Sequence, residues 1–178
     1  MVGLINQLKA HARILHREAT AGNASALARL GRLAAFKGKT HAETANAVRR
    51  RHCLTVLANE LGFDGWPALA HATVDGEAAD FGTFLHPPNV WAHWNIWCAT
   101  YEEAKAIREE HGGYLLCYKH QFLVVDADYV DTMGVPSTDP DWDRIGRDWV
   151  RPAEIEARER LCEKLARHRL GALEFRPS

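Results

Sequence analysis

The chain has 178 residues, 47% of them apolar and 25% charged, and a net charge of −1. A chain of this length buries enough surface to fold without a disulfide or metal staple, and its apolar fraction excludes intrinsic disorder. The apolar runs are too short to span a bilayer, and residues 1–20 carry Lys9, His11, Arg13, His16 and Arg17 where a secretory signal needs an apolar stretch. No membrane partner and a cytoplasmic location are therefore expected. The four cysteines, Cys53, Cys98, Cys117 and Cys162, form no C-x-x-C pair and read as free, buried thiols.

Taken in chain order, Leu4, Leu8, Ala12, Leu15 and Ala19 make one helical stripe, with Gly22 as its stop. Leu27, Leu30 and Ala34 repeat the pattern over residues 24–35, where Asn23 or Ser25 can cap. Thr40 and Glu43 have the spacing of a capping box and open a helix expected to run to Leu61. A short helix holding Trp66, Leu69 and Ala70 follows, capped by Asp64. Residues 1–72 thus read as a basic, all-helical unit. Gly76, Gly82, Pro87 and Pro88 break the periodicity, so residues 73–94 read as a connecting segment anchored by Phe81, Phe84 and Leu85.

Residues 95–178 have mixed character. Asn95 to Ala99 predicts a strand, and Thr100 with Glu103 predicts a second capping box and a helix ended by Gly112 and Gly113. Tyr114–Tyr118 and Phe122–Val125 predict a hairpin turning through Lys119, His120 and Gln121, or one bent strand. A helical turn over residues 128–133 stops at Gly134. Pro152 suits the first turn of a last helix that holds Ile155, Leu161, Cys162 and Leu165. The expected class is α+β: a helical N-terminal unit packed on a strand–helix–strand–strand unit with a C-terminal helix.

The small net charge hides a split. Residues 1–72 hold ten Lys/Arg and four Asp/Glu, whereas residues 73–178 hold twelve and nineteen. Either the first part offers a basic face to an acidic partner, or the two parts attract each other. Arg49, Arg50 and Arg51 are the densest basic run and the candidates for phosphate contact. The following residues imitate a helix-turn-helix, but the would-be reading helix, Gly65 to Ala72, offers no Arg, Lys, Asn or Gln to a base edge. Sequence-specific DNA reading is not expected.

The segment from His86 to Cys98, HPPNVWAHWNIWC, is the most unusual in the chain. Its tryptophans fall three apart. One reading makes them a core plug joining the two parts. The other makes Trp91, His93, Trp94 and Trp97, with Tyr118 and His120, the walls of an aromatic ligand pocket. If the run were strand throughout, Trp91, His93 and Trp97 would share one face and Trp94 and Cys98 the other. His86, His93 and Cys98 are candidate ligands for a transition metal, although nothing in the sequence requires a cofactor. Asp139, Asp141 and Asp143 begin like a calcium loop, but Arg144 stands where Gly is needed and Val150 where a bidentate Glu is needed. No phosphate loop, nucleophile elbow or dinucleotide fingerprint is present.

The stretch HCLTVLANELGFDGWPAL, residues 52–69, resembles a short helical element of bacterial proteins related to the glyoxalase superfamily, also seen beside some bacterial ankyrin arrays. Leu57, Ala58, Leu61, Gly62, Phe63, Trp66 and Leu69 carry the resemblance. It covers about a tenth of the chain and implies a helical unit, not an activity; the metal-binding strands of glyoxalases have no counterpart here. The second half resembles an uncharacterised bacterial family with no function attached. The leading expectation is a non-catalytic module that binds a small molecule or a protein partner. The alternatives are a small enzyme using His93 or His120 as acid/base, with or without a metal, and a nonspecific nucleic-acid binder working through Arg49–Arg51.

Overall fold

The computed structural model describes residues 2–74 and 80–171, with only the backbone for Val2, Thr73 and Val74. Gly76, assigned above to the connecting segment, lies outside the described residues. The fold is α+β, with a helical N-terminal part and a small antiparallel sheet. No helix among the described residues is long and apolar enough to cross a membrane.

Helix α1 (Val2–Thr20) buries the expected stripe from Leu4 to Ala19 and packs on α4 and α9. Helix α2 (Ala24–Leu30) is capped by Asn23, whose side chain accepts from the Ala26 N–H at 3.0 Å. It is shorter than the spacing predicts: the chain turns at Gly31 and makes a separate 3₁₀ turn at Ala34–Phe36, which buries Phe36. The Thr40 capping box is complete, with the Glu43 carboxylate returning to the Thr40 N–H at 2.8 Å.

The helix it opens does not reach Leu61. It stops after α3 (His41–Ala47), Val48 and Arg49 are extended, and α4 (Arg50–Glu60) begins anew. The break turns the Val48 side chain into the core, where it is 1% exposed. Polar capping stabilises the joint: the Arg49 N–H donates to His52 Nδ1, and its guanidinium donates to the Asn46 and Val48 carbonyls. Helix α5 (Gly65–Val74) follows the turn at Gly62. Gly62 (φ +92°) and Gly82 (φ +53°) meet back to back there. A Cβ on Gly62 would collide with Thr83, and one on Gly82 with the Gly62 carbonyl.

The sheet has the order β1 (Asn95–Cys98), β3 (Gln121–Val125), β2 (Tyr114–Tyr118), antiparallel throughout. The hairpin turn has two residues rather than three: Tyr118 pairs with Gln121, and Lys119 takes a positive φ of 53°. Tyr114 to Cys117 and Leu123 to Val125 are all buried, so the sheet is covered on both faces. Helix α6 (Tyr101–His111) packs on it, capped by Thr100. Here the Glu103 carboxylate reaches one residue further back than a capping box requires, to the Ala99 N–H. The outer edge of β2 is partly covered from the far end of the chain: Leu115 N–H donates to Arg147 O, and Trp149 N–H to Leu115 O.

Helix α7 (Ala127–Met133) starts at Asp126, which accepts the Tyr129 N–H, and stops at left-handed Gly134. Helix α8 (Pro140–Arg144) packs on α9 (Ile155–Arg169). Pro152 lies outside α9, whose cap is Glu154. The aspartates that imitate a calcium loop are ionic staples instead. Asp139 caps α8 and holds Lys164 at 2.6 Å. Asp141, 2% exposed, accepts from Arg160 at 2.6 Å, Lys164 at 2.8 Å and Arg144 at 3.0 Å. The core is one cluster of buried side chains running from Leu4 to Ala166, and its largest members are Trp142, Trp149 and Tyr129.

Candidate functional site

The tryptophans of the 86–98 segment do not form a core plug. Trp91 is 67% exposed, Trp94 51% and Trp97 39%. The core aromatic positions belong to Trp142 and Trp149, which the sequence reading left unassigned. The strand also begins later than the run, at Asn95. Trp91 instead closes a 3₁₀ turn at Pro88–Val90, so the face alternation predicted for Trp91, His93 and Trp94 does not apply to them. Within the strand it holds: Trp97 reaches the surface and Cys98 is buried.

Register explains which residues share a face. Trp97 stands opposite Leu123, and Leu123 opposite Leu116. Tyr118, two residues beyond Leu116, therefore shares that face. The Trp97 and Tyr118 rings meet edge to face with centroids 5.6 Å apart. Over them lies His86, with ring centroids 5.2 Å from Trp97, 5.4 Å from Tyr118 and 6.5 Å from Trp91. Behind it, fully buried Tyr129 approaches His86 at 2.7 Å between Oη and Nδ1 and donates its hydroxyl proton to Leu85 O at 2.9 Å. His93 adds an edge contact to Tyr129. Burial lowers the pKa of His86 and pushes the Tyr129 phenol well above its usual range.

The structure thus assembles Trp91, His93, Trp97 and Tyr118 from the predicted ligand set, joined through His86 and Tyr129. Trp94 is exposed and makes no ring contact among the described residues. His120 is exposed in the hairpin turn and makes no ring contact among the described residues. Tyr129 carried no signal in the sequence beyond its place on a helical turn; its role comes from a contact spanning 43 residues of chain.

The segment bearing His86 is fastened at several points. Arg169 donates from Nη1 to Leu61 O and Thr83 O and from Nη2 to Phe84 O, with its guanidinium over the Phe84 ring. Burial lowers the Arg169 pKa to about 10. Asn89 Nδ2 donates to Thr132 O at 2.9 Å. Pro87, Pro88 and Asn89 also line a cleft of about 440 Å³, with Asn59, His168 and Arg169 on its other walls.

His86, His93 and Cys98 are not brought together as a metal centre. Among the described residues no group of three or more His, Cys, Asp or Glu side chains could hold a metal ion. Cys98 is buried, and its thiol pKa is raised by that burial and by Glu103. All four cysteines are free and buried; Cys53, Cys117 and Cys162 are pushed up to about 11, 12 and 12 by desolvation. Such thiols are poor nucleophiles.

Arg49, Arg50 and Arg51 are exposed at the N-terminus of α4, and none of them pairs with a carboxylate among the described residues. Burial, Arg51, Arg49 and Lys39 together lower the pKa of His52, which places these cations in one positive field. Compared with known proteins, the chain matches no family model, no curated protein and no solved structure.

Proposed function

We propose that the protein is a non-catalytic cytoplasmic binding module whose working surface is the aromatic patch of Trp91, Trp97 and Tyr118 around His86. It captures a small molecule, or a segment of a protein partner, that presents a flat apolar face. One observation carries this reading: the fold buries Trp142 and Trp149 completely, yet leaves three tryptophans of one short segment in water. Among the described residues, large hydrophobic side chains this exposed number five, and three of them are these tryptophans. Contiguous exposed aromatic surface marks recognition sites, because burying it on association releases the same free energy that folding left unused. The resemblance of residues 52–69 contributes a helical support to this reading and no chemistry.

The test is isothermal titration calorimetry of the full chain with a panel of planar rings, uracil and indole among them. Binding that is weakened in Trp97→Ala and Trp91→Ala, with both variants folded, supports the reading. No heat from any ring, or binding unchanged in both variants, refutes it.

The α4 terminus favours a second reading, nonspecific binding of nucleic-acid phosphates. Arg50 and Arg51 occupy the first helical turn, where the macrodipole disfavours cations, and no carboxylate among the described residues compensates them. That placement costs the fold stability and suits an anionic partner.

A further inference from the structure

The tautomer of His86 follows from a count of protons, and it specifies what the aromatic patch would bind. Tyr129 has one hydroxyl proton, and the Leu85 carbonyl, which can only accept, takes it at 2.9 Å. The phenol stays protonated because it is buried, with its pKa raised. With the phenol proton on Leu85 O, the 2.7 Å contact between Tyr129 Oη and His86 Nδ1 is filled by a proton on Nδ1. In a neutral imidazole that leaves Nε2 bare, as an acceptor. Nε2 is neither buried nor bonded to any other described group. Nε2 lies across the ring from Nδ1 and so points away from buried Tyr129, on a ring whose centroid is 5.2 Å from Trp97, 5.4 Å from Tyr118 and 6.5 Å from Trp91.

A ligand for this place must donate one hydrogen bond to Nε2 and present a flat face to the rings. An anion has no donor to meet at Nε2. A cation would meet Lys119, whose Nζ already lies over the Tyr118 ring at 5.3 Å from its centre. Resting on the aromatic-surface reading above, we infer that the patch is a site for a neutral planar heterocycle bearing a ring N–H, of the nucleobase or indole kind, which lies against Trp91 and Trp97 and donates to His86 Nε2.

The experiment compares rings with and without ring N–H groups: uracil, which has two, with 1,3-dimethyluracil, which has none, and indole with 1-methylindole, titrated calorimetrically into the full chain. The N–H member of each pair is expected to bind roughly tenfold tighter, the worth of one good hydrogen bond. His86→Phe should keep the stacking surface and erase the difference. Equal affinity within both pairs overturns the inference while leaving the aromatic surface standing; no binding by any ring overturns both. Nitrogen-15 histidine NMR of the unaltered protein tests the premise without a variant. An Nδ1-protonated His86 supports it, and an Nε2-protonated one overturns it.

Discussion

Trp91 and Trp149 offer a direct comparison between surface and core in one protein. A tryptophan side chain presents up to ~250 Å². Trp91 keeps 67% of its surface in water, so about a third, roughly 80 Å², is buried. At ~25 cal/mol per Å² that burial is worth about 2 kcal/mol, an upper bound because an unfolded chain already hides part of it. Trp149 is fully buried, between Phe81 at 5.6 Å and Trp142 at 6.0 Å. Its truncation removes the whole transfer term and leaves a cavity, about 3–5 kcal/mol. Urea denaturation of Trp91→Ala and Trp149→Ala should therefore separate clearly, with Trp91→Ala losing less than 2 kcal/mol. Acrylamide quenching should in parallel lose an accessible component of the emission in Trp91→Ala. A loss of stability in Trp91→Ala as large as in Trp149→Ala would return the tryptophan run to the core, and the aromatic surface would have no foundation.

Two further predictions concern charge. The three cations around Asp141 hold its carboxyl well below the usual range, so that contribution is complete above the ordinary carboxyl pKa near 3.8 and fades as pH falls beneath it. Asp141→Asn should cost about 2–3 kcal/mol at neutral pH, the lower part of the range for broken buried pairs because Arg160, Lys164 and Arg144 are themselves partly solvated. Its stability should converge on wild type in acid, and parallel curves from pH 7 to 3 would contradict the staple. Reversing Arg50 and Arg51 to Glu should raise thermal stability slightly, by ~0.3–1 kcal/mol, since the new charges agree with the α4 dipole. The same variant should abolish a low-salt gel shift of single-stranded oligonucleotide; no shift by the wild type would end the nucleic-acid reading.

Local chemistry was readable where one residue decides an end. Asn23, Thr40, Thr100 and Gly134 cap or stop the elements their types predict. Periodicity was readable where one face is buried, as in the Leu4–Ala19 stripe. It failed at Val48, because a stripe that continues through a kink looks like one helix: α3 packs Ala45 and Ala47 against the core, α4 buries Cys53, Val56, Leu57 and Ala58, and the polar bonds of Arg49 mark the break. It failed again for the tryptophans. Their size argues for burial, but which of the tryptophans go inside is decided by long-range packing. Trp142 and Trp149 reach Tyr114 and Phe81, which are distant in sequence. The aromatic set was largely in view by composition. Its centre is not in view: the sequence offers His86 as a metal ligand, and nothing in it marks Tyr129.

What makes the patch a candidate for recognition is the stiffness beneath it as much as its exposure. The 81–91 segment would be expected to move, being punctuated by Gly82, Pro87 and Pro88 with almost no regular structure of its own. Yet its carbonyls are taken one after another: Thr83 and Phe84 by Arg169, Leu85 by Tyr129. Its side chains Phe81, Phe84 and Val90 are buried, and Asn89 is tied to α7. Arg169 comes from the last turn of α9 and spends a charged, largely desolvated guanidinium on backbone oxygens alone, an arrangement that favours rigidity over ion-pair strength. Rings fixed in this way lose little conformational freedom when a ligand arrives, so a small stacked area and one hydrogen bond suffice for measurable affinity. The same exposed tryptophans on a mobile loop would gain far less, because ordering the loop would consume the free energy of contact.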